Sequence, residues 1–202
     1  VNLVENPSFE EDTTGWTVGG VNTIGQTAGQ QFYGPYAAVC TYQNDAVLAS
    51  YGITLTAATY TASCWVYIRS TFDGSDIDLR FANFVGATGT LYVDADMSKK
   101  GQWQRIEVPN VTIDAGDLAG QIVLRHDSTD ATAGKQVYID GVQLELKDHV
   151  TTYCDGTQEG CVWNGEPHNS TSSRSAMSRA GGREYDFEDD YSFHVVDWQG
   201  WG

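Results

Sequence analysis

The chain has 202 residues, of which 27 are acidic and 11 basic, giving a net charge of -16 at pH 7. That field repels a nucleic-acid backbone or an anionic membrane surface, so a neutral glycan or another protein is the expected partner, although acidity also serves plain solubility. No apolar run reaches the ~18 residues a membrane-spanning helix needs, and membrane insertion is not expected. The apolar share of 41% with 22 glycines and few basic residues suits β-structure and turns. The first ~150 residues suffice for a core that buries roughly 70% of the unfolded surface. The chain opens on Val1 and closes on "HVVDWQGWG", as expected of a processed chain or a segment of a longer polypeptide.

Residues 1–148 read as short strands between Gly, Asp, Asn and Thr turns. "YTASCWVYI" (60–68) sets Tyr60, Ala62, Cys64, Val66 and Ile68 to one side and Thr61, Ser63, Trp65 and Tyr67 to the other. "DIDLRFANF" (76–84) places Ile77, Leu79 and Phe81 against Asp78, Arg80 and Ala82. "WQRIEVPNVTI" (103–113) sets Ile106 and Val108 inward, with Arg105 and Glu107 outward. "GQIVLRHD" and "QVYIDGVQLEL" continue the alternation. A period of two with a turn every ~8 to 15 residues predicts an antiparallel β-sandwich, and no segment sustains a helical period. Residues 149–183 lose the alternation and read as a Cys-bracketed turn followed by a surface-hugging arm or linker. Residues 184–202 turn acidic and aromatic, the start of a following element or a tether, with 184–190 either a solvated stretch or a dock for a basic partner.

The stretches "NLVENPSFEEDTTGWTV" (2–18), "YTASCWVYI", "GQWQRIEVPNVTI" and "VYIDGVQLEL" stand in the order seen in one kind of sandwich. Together they resemble the jelly-roll carbohydrate-binding modules of families four and nine and their galactose-binding-like relatives. The likeness covers residues 1 to about 148 of the 202. It implies an all-β jelly roll carrying a C-terminal extended arm. A second stretch, "YCDGTQEGCVWNGEPHNSTSSR" (153–174), is similar to a segment that follows such jelly rolls in minor tail proteins of long-tailed bacteriophages. That likeness implies a virion tail-tip or baseplate domain facing a host cell-surface glycan. Its other partners would be further phage tail proteins and copies of itself in a ring-like homo-oligomer.

The resemblance also implies a structural calcium ion held by Glu10 and Asp140, hard oxygen ligands that suit it. Against this, Asp140-Gly141 reads as a bend and Glu10 as a solvated charge, and Gly141 stands where relatives often carry another Asp. A glycan site combines an aromatic plate with planar hydrogen-bonding groups. Trp65 and Tyr67 point away from the core set and supply the plate; Arg80, Gln121, Arg125 and Asp127 could share its face. The alternative is that a loop or neighbouring subunit covers this face and Trp65 packs beneath it. Cys154 and Cys161 are a disulfide candidate closing a small loop, with zinc held by these thiols and His149 or His168 as the competing idea. Cys40 and Cys64 carry core parity.

Catalytic chemistry finds little support: there is no nucleophile elbow, H-E-x-x-H or phosphate loop. His126, His149, His168 and His194 are scattered, and the sequons at Asn110 and Asn169 matter only in a eukaryotic secretory setting. The expected function is a non-catalytic tail-tip domain that binds host glycan or structures the tip. The alternative is a glycan-binding accessory module of a secreted polysaccharide-degrading enzyme.

Overall fold

A computed structural model describes residues 1–114 and 118–174. Its strands in chain order are β1 (Trp16–Thr17), β2 (Thr23–Thr27), β3 (Ala37–Thr41), β4 (Val47–Leu55), β5 (Ala58–Ile68), β6 (Asp78–Ala82), β7 (Tyr92–Asp94), β8 (Trp103–Ile113), β9 (Leu118–Arg125), β10 (Gln136–Glu145), β11 (Cys161–Trp163) and β12 (Ser172–Arg174). Among the described residues the one helical piece is a 3₁₀ turn at Met97–Lys99, capped by the Asp96 side chain. The first sheet runs β1-β4-β9-β6-β7 and the second β2-β3-β10-β5-β8, all neighbours antiparallel. This is the expected all-β jelly-roll sandwich.

The period-two pattern explains the core. Ala62, Cys64, Val66 and Ile68 on β5, Ile106 and Val108 on β8, and Val137 and Ile139 on β10 point inward and are buried. Leu79 and Phe81 on β6 meet them from the first sheet with Ile122 and Leu124 on β9. Each Val, Leu, Ile or Phe side chain among these contributes about 1.5–3 kcal/mol by leaving water, enough for parity to fix which face of every strand turns in.

Strand β10 carries a bulge between Asp140 and Gln143 where it pairs with β5. Gly141 sits in the bulge with φ +53°, and a Cβ there would meet the Tyr33 ring at 2.8 Å and Trp65 Cδ1 at 3.2 Å. Glycine supplies both the left-handed backbone and the room for the two rings, which accounts for its place beside Asp140.

The segment after residue 148 hugs the sandwich as far as residue 174. Asn2, 1% exposed, donates from Nδ2 to Val142 O at 2.9 Å and Cys154 O at 3.3 Å, and accepts from Leu144 N at 3.1 Å. Its backbone pairs with Ser172 in both directions. Arg105 donates to Thr151 O at 2.8 Å, and Gln143 Oε1 accepts from Cys154 N at 2.8 Å. Cys154 and Cys161 form a disulfide, and Tyr153, Asp155 and Ser172 are buried. Residues 175–183 of the arm and the whole stretch 184–202, His194 included, lie outside the described residues.

Replacing Gly141 with Ala is expected to cost about 2 kcal/mol in denaturant unfolding, from strain plus the ring clash. Gly25→Ala, where nothing lies within 4 Å of the added carbon, should stay within about 0.5 kcal/mol of the parent.

Candidate functional site

The sequence-derived glycan candidates do not share one face; the structure divides them between the two outer faces. Trp65 and Tyr67 lie on β5 of the second sheet, whereas Arg80 lies on β6, and Gln121 and Arg125 on β9, of the first. Alternation tells which residues point outward from a strand but not which sheet the strand joins.

On the second sheet Trp65 stands opposite Asp140 and Arg105. The loop 28–36 folds over it, and Phe32 stacks on the indole at 3.7 Å between centroids and 16° between planes. The loop is pinned by Asp140, whose Oδ2 accepts the Phe32 and Tyr33 amides, each at 2.8 Å. Tyr33 stacks in turn on Tyr153 of the arm at 4.4 Å. One face of Trp65 is thus occupied by the protein's own ring, and its Nε1 is shielded from solvent and directed to the Tyr33 hydroxyl. Tyr67 packs edge-on to Tyr138 and tilted against Trp103 and stays half-buried.

The first sheet's outer face is polar, with Tyr92 and Asp127 exposed and Arg80 and Arg125 partly covered. Arg80 makes a two-point contact with Asp78, Nε and Nη2 each 2.5 Å from a carboxylate oxygen. Asp127 reaches Arg80 at 3.4 Å and Arg125 at 2.7 Å. Burial raises the Asp78 carboxyl above its ordinary value even with Arg80 beside it, and Asp78 in turn raises the guanidinium. Gln121 accepts from Asn83 Nδ2 at 3.3 Å. Tyr92 on β7 stands opposite Arg80 in the register, 52% exposed, with the Arg80 guanidinium 4.9 Å from its ring centre. A guanidinium held by a buried carboxylate keeps its plane, so this face offers fixed hydrogen-bonding edges beside one aromatic plate. Sequence reading missed Tyr92, although "LYVDAD" (91–96) alternates visibly, with Tyr92 and Asp94 on the outer side and the buried Ala95 on the inner.

The loop 28–36 meets both Glu10 and Asp140: Gly34 stands against the Glu10 carboxyl, and the Phe32 and Tyr33 amides donate to Asp140. The Glu10 carboxyl is raised to about 7, first by burial, then by Asp140 and more weakly by Asp155, with the Tyr36 amide pulling the other way. Asp140 is likewise raised to about 7 by burial and Asp155, against three amide donors. Glu10 Oε1 is shielded and has no hydrogen-bond partner. A Cβ on Gly34, where φ is +59°, would collide with that oxygen. A shielded, unpartnered carboxylate oxygen beside a second carboxylate is the donor chemistry a hard cation takes, completed by backbone carbonyls and water. Glu10 and Asp140 are therefore the residues that could hold calcium. Among the described residues no three carboxylate, imidazole or thiol side chains form a metal-ligand group.

Zinc at Cys154 and Cys161 is overturned, because the two sulfurs are bonded to each other. Cys40 and Cys64 are buried free thiols pushed up by burial, Cys40 to about 12, and are inert on that account. His126, fully buried, accepts the Ala131 amide at Nε2 and faces Asp76 from Nδ1 at 2.8 Å, locking two loops together.

No family model matches the sequence, and no curated protein matches it. Solved structures do. The first xylan-binding domain of Paenibacillus barcinonensis Xyn10C, a family 22 carbohydrate-binding module, aligns at 19% identity and TM-score 0.50, over 74% of this chain and 98% of its own. A family 61 module solved with β-1,4-galactotriose aligns at 20% identity and TM-score 0.53, over 73% and 99%. The C-terminal family 22 module of Clostridium thermocellum Xyn10B aligns at 14% identity and TM-score 0.52, over 72% and 94%. At these identities the likeness establishes the fold: a carbohydrate-binding-module jelly roll.

The raised carboxyls fix a pH dependence. In the folded chain Glu10 and Asp140 keep protons that the unfolded chain releases near pH 4, so their contribution to stability falls as pH rises from about 4 through about 7. With chelator present, the melting temperature should be higher at pH 5.5 than at pH 8; a flat or rising profile across that window contradicts the assignment.

Proposed function

We propose that this chain is a non-catalytic glycan-binding module that receives a neutral polysaccharide on the outer face of its first sheet. The observation carrying the reading is the fixed Asp78–Arg80–Asp127–Arg125 network standing beside the exposed ring of Tyr92. Sugar rings present apolar C–H faces ringed by hydroxyls, which such a plate and such edges match. Guanidinium and carboxylate alternate on this face, and the chain as a whole carries -16, so an uncharged glycan is preferred over an anionic one. Calcium held by Glu10 and Asp140 plays a structural part, tying the segment after the N-terminal Phe9 to the last long strand.

The setting these observations favour is an accessory module of a secreted polysaccharide-degrading enzyme. Two of the similar structures are modules of Xyn10C and Xyn10B, and another is an α-L-arabinofuranosidase. The disulfide fits an oxidising compartment. The phage tail-tip setting, with host-glycan attachment, tail-protein partners and a homo-oligomeric ring in the virion, is the second reading. It rests on the segment 153–174 alone. A catalytic domain in the same gene supports the first setting, and neighbouring tail genes the second.

Affinity electrophoresis through neutral xylans and galactans tests the site. The parent should be retarded, and Tyr92→Ala should lose about tenfold in affinity at unchanged melting temperature. Trp65→Ala should keep its binding but lose about 3 kcal/mol of stability, since the indole packs under Phe32. Binding lost in Trp65→Ala and kept in Tyr92→Ala would move the site to the second sheet; no retardation by any polysaccharide would remove the glycan reading.

A further inference from the structure

The outer face of the second sheet holds a line of rings that the glycan site on the first sheet does not use. Trp103 on β8 stands opposite Tyr67 on β5, and Tyr67 stands opposite Tyr138 on β10. Cross-strand partners point to the same side of a sheet, so the three rings form one row across the strands. Tyr67 lies 5.7 Å from Trp103 and 5.9 Å from Tyr138, centre to centre. Phe32 extends the row, 5.7 Å beyond Trp103. Trp65 backs one face of Phe32 in near-parallel contact, and Phe32 remains 37% exposed on the side away from the indole. Asp140 holds the Phe32 amide at 2.8 Å, so this plate is in position before a ligand arrives.

The other end of the row is cationic. Arg69, exposed directly after β5, sets its guanidinium 5.5 Å from the ring centre of Tyr138. Arg80, Arg105, Arg125, Lys99 and Lys135 each meet a carboxylate, whereas Arg69 makes none of the ion pairs found among the described residues. A guanidinium resting on a ring keeps its planar donor edge for a carboxylate, which it grips at two points. In a chain of net charge -16, an arginine left without a carboxylate at the end of an aromatic row matches an anion brought by the ligand.

We propose that this face is a second glycan site, independent of the first, for a largely neutral sugar chain carrying uronic-acid residues. Phe32 and Trp103 take the apolar faces of its sugar rings, and Arg69 pairs with a uronate carboxylate. The net charge of the chain disfavours a polyuronate. At physiological salt, charges more than about 8 Å apart are largely screened, so a scattered carboxylate responds to Arg69 rather than to the whole molecule. The inference goes beyond the neutral-glycan reading and does not depend on it.

Affinity electrophoresis of the full chain tests this, through a xylan bearing glucuronate side groups and through the same xylan after reduction of its carboxyl groups. The Tyr92→Ala variant, with its first-sheet site weakened, should be retarded more by the glucuronate form than by the reduced form. Adding Arg69→Gln should erase that difference at unchanged melting temperature, since Arg69 is exposed. Adding Phe32→Ala should weaken binding of the glucuronate form about tenfold. Equal retardation by both forms in Tyr92→Ala, or a preference that survives Arg69→Gln, overturns the proposal. Self-association seen by sedimentation and lost in Phe32→Ala gives the face to a second copy of the chain and also overturns it. Binding of the reduced xylan by the parent, lost in Tyr92→Ala, reports on the first sheet alone, so either reading can fail without the other.

Discussion

Asp140 sits in the middle of a buried strand with its carboxylate turned into the loop 28–36, where two backbone amides reach it at 2.8 Å. A carboxylate taken out of water is costly unless donors replace the water, and the amides of Phe32 and Tyr33 do this while fixing the loop. Much else follows from that clamp. Phe32 is delivered onto Trp65, Tyr33 onto Tyr153, and Glu10 is closed in behind Gly34. The second sheet loses part of its outer face to the protein's own rings, and the first sheet keeps Tyr92 and Asp127 exposed on its own.

Taking Glu10 and Asp140 partly out of water with no dedicated counter-charge is costly for the isolated fold. Asp140 and Glu10 respond by holding protons to about pH 7. The charged pairs on the first sheet show the opposite arrangement. Asp78 is more deeply buried than Glu10, yet Arg80 grips it at two points, and Asp127 spans both arginines. One acidic region lacks an ion-pair partner within the described chain, and the other has its counter-charge in Arg80 and Arg125.

Strand parity along 60–68, 77–81 and 103–108 is legible because one buried face punishes any one-residue slip. The sandwich follows from it, and so does the outward direction of Trp65, Tyr67, Arg80, Gln121 and Arg125. Sheet membership is not legible in this way. It is decided by pairings such as Trp65 with Asp140 and Arg80 with Val123, far apart in sequence and set by the closing of the whole sandwich. That a loop could cover Trp65 was one of two open alternatives, but which loop does so was hidden, since "GQQFYGPY" (29–36) has no period and its place depends on two backbone amides. Glu10 and Asp140 were readable only through resemblance.

The pairing of Asn2 with Ser172 has a consequence for assembly. Asn2 is bridged to Ser172 of the last described strand, β12, so the two ends of the described unit lie at a single corner. A unit tied at one corner can be spliced into a surface loop of a larger protein without stretching its host.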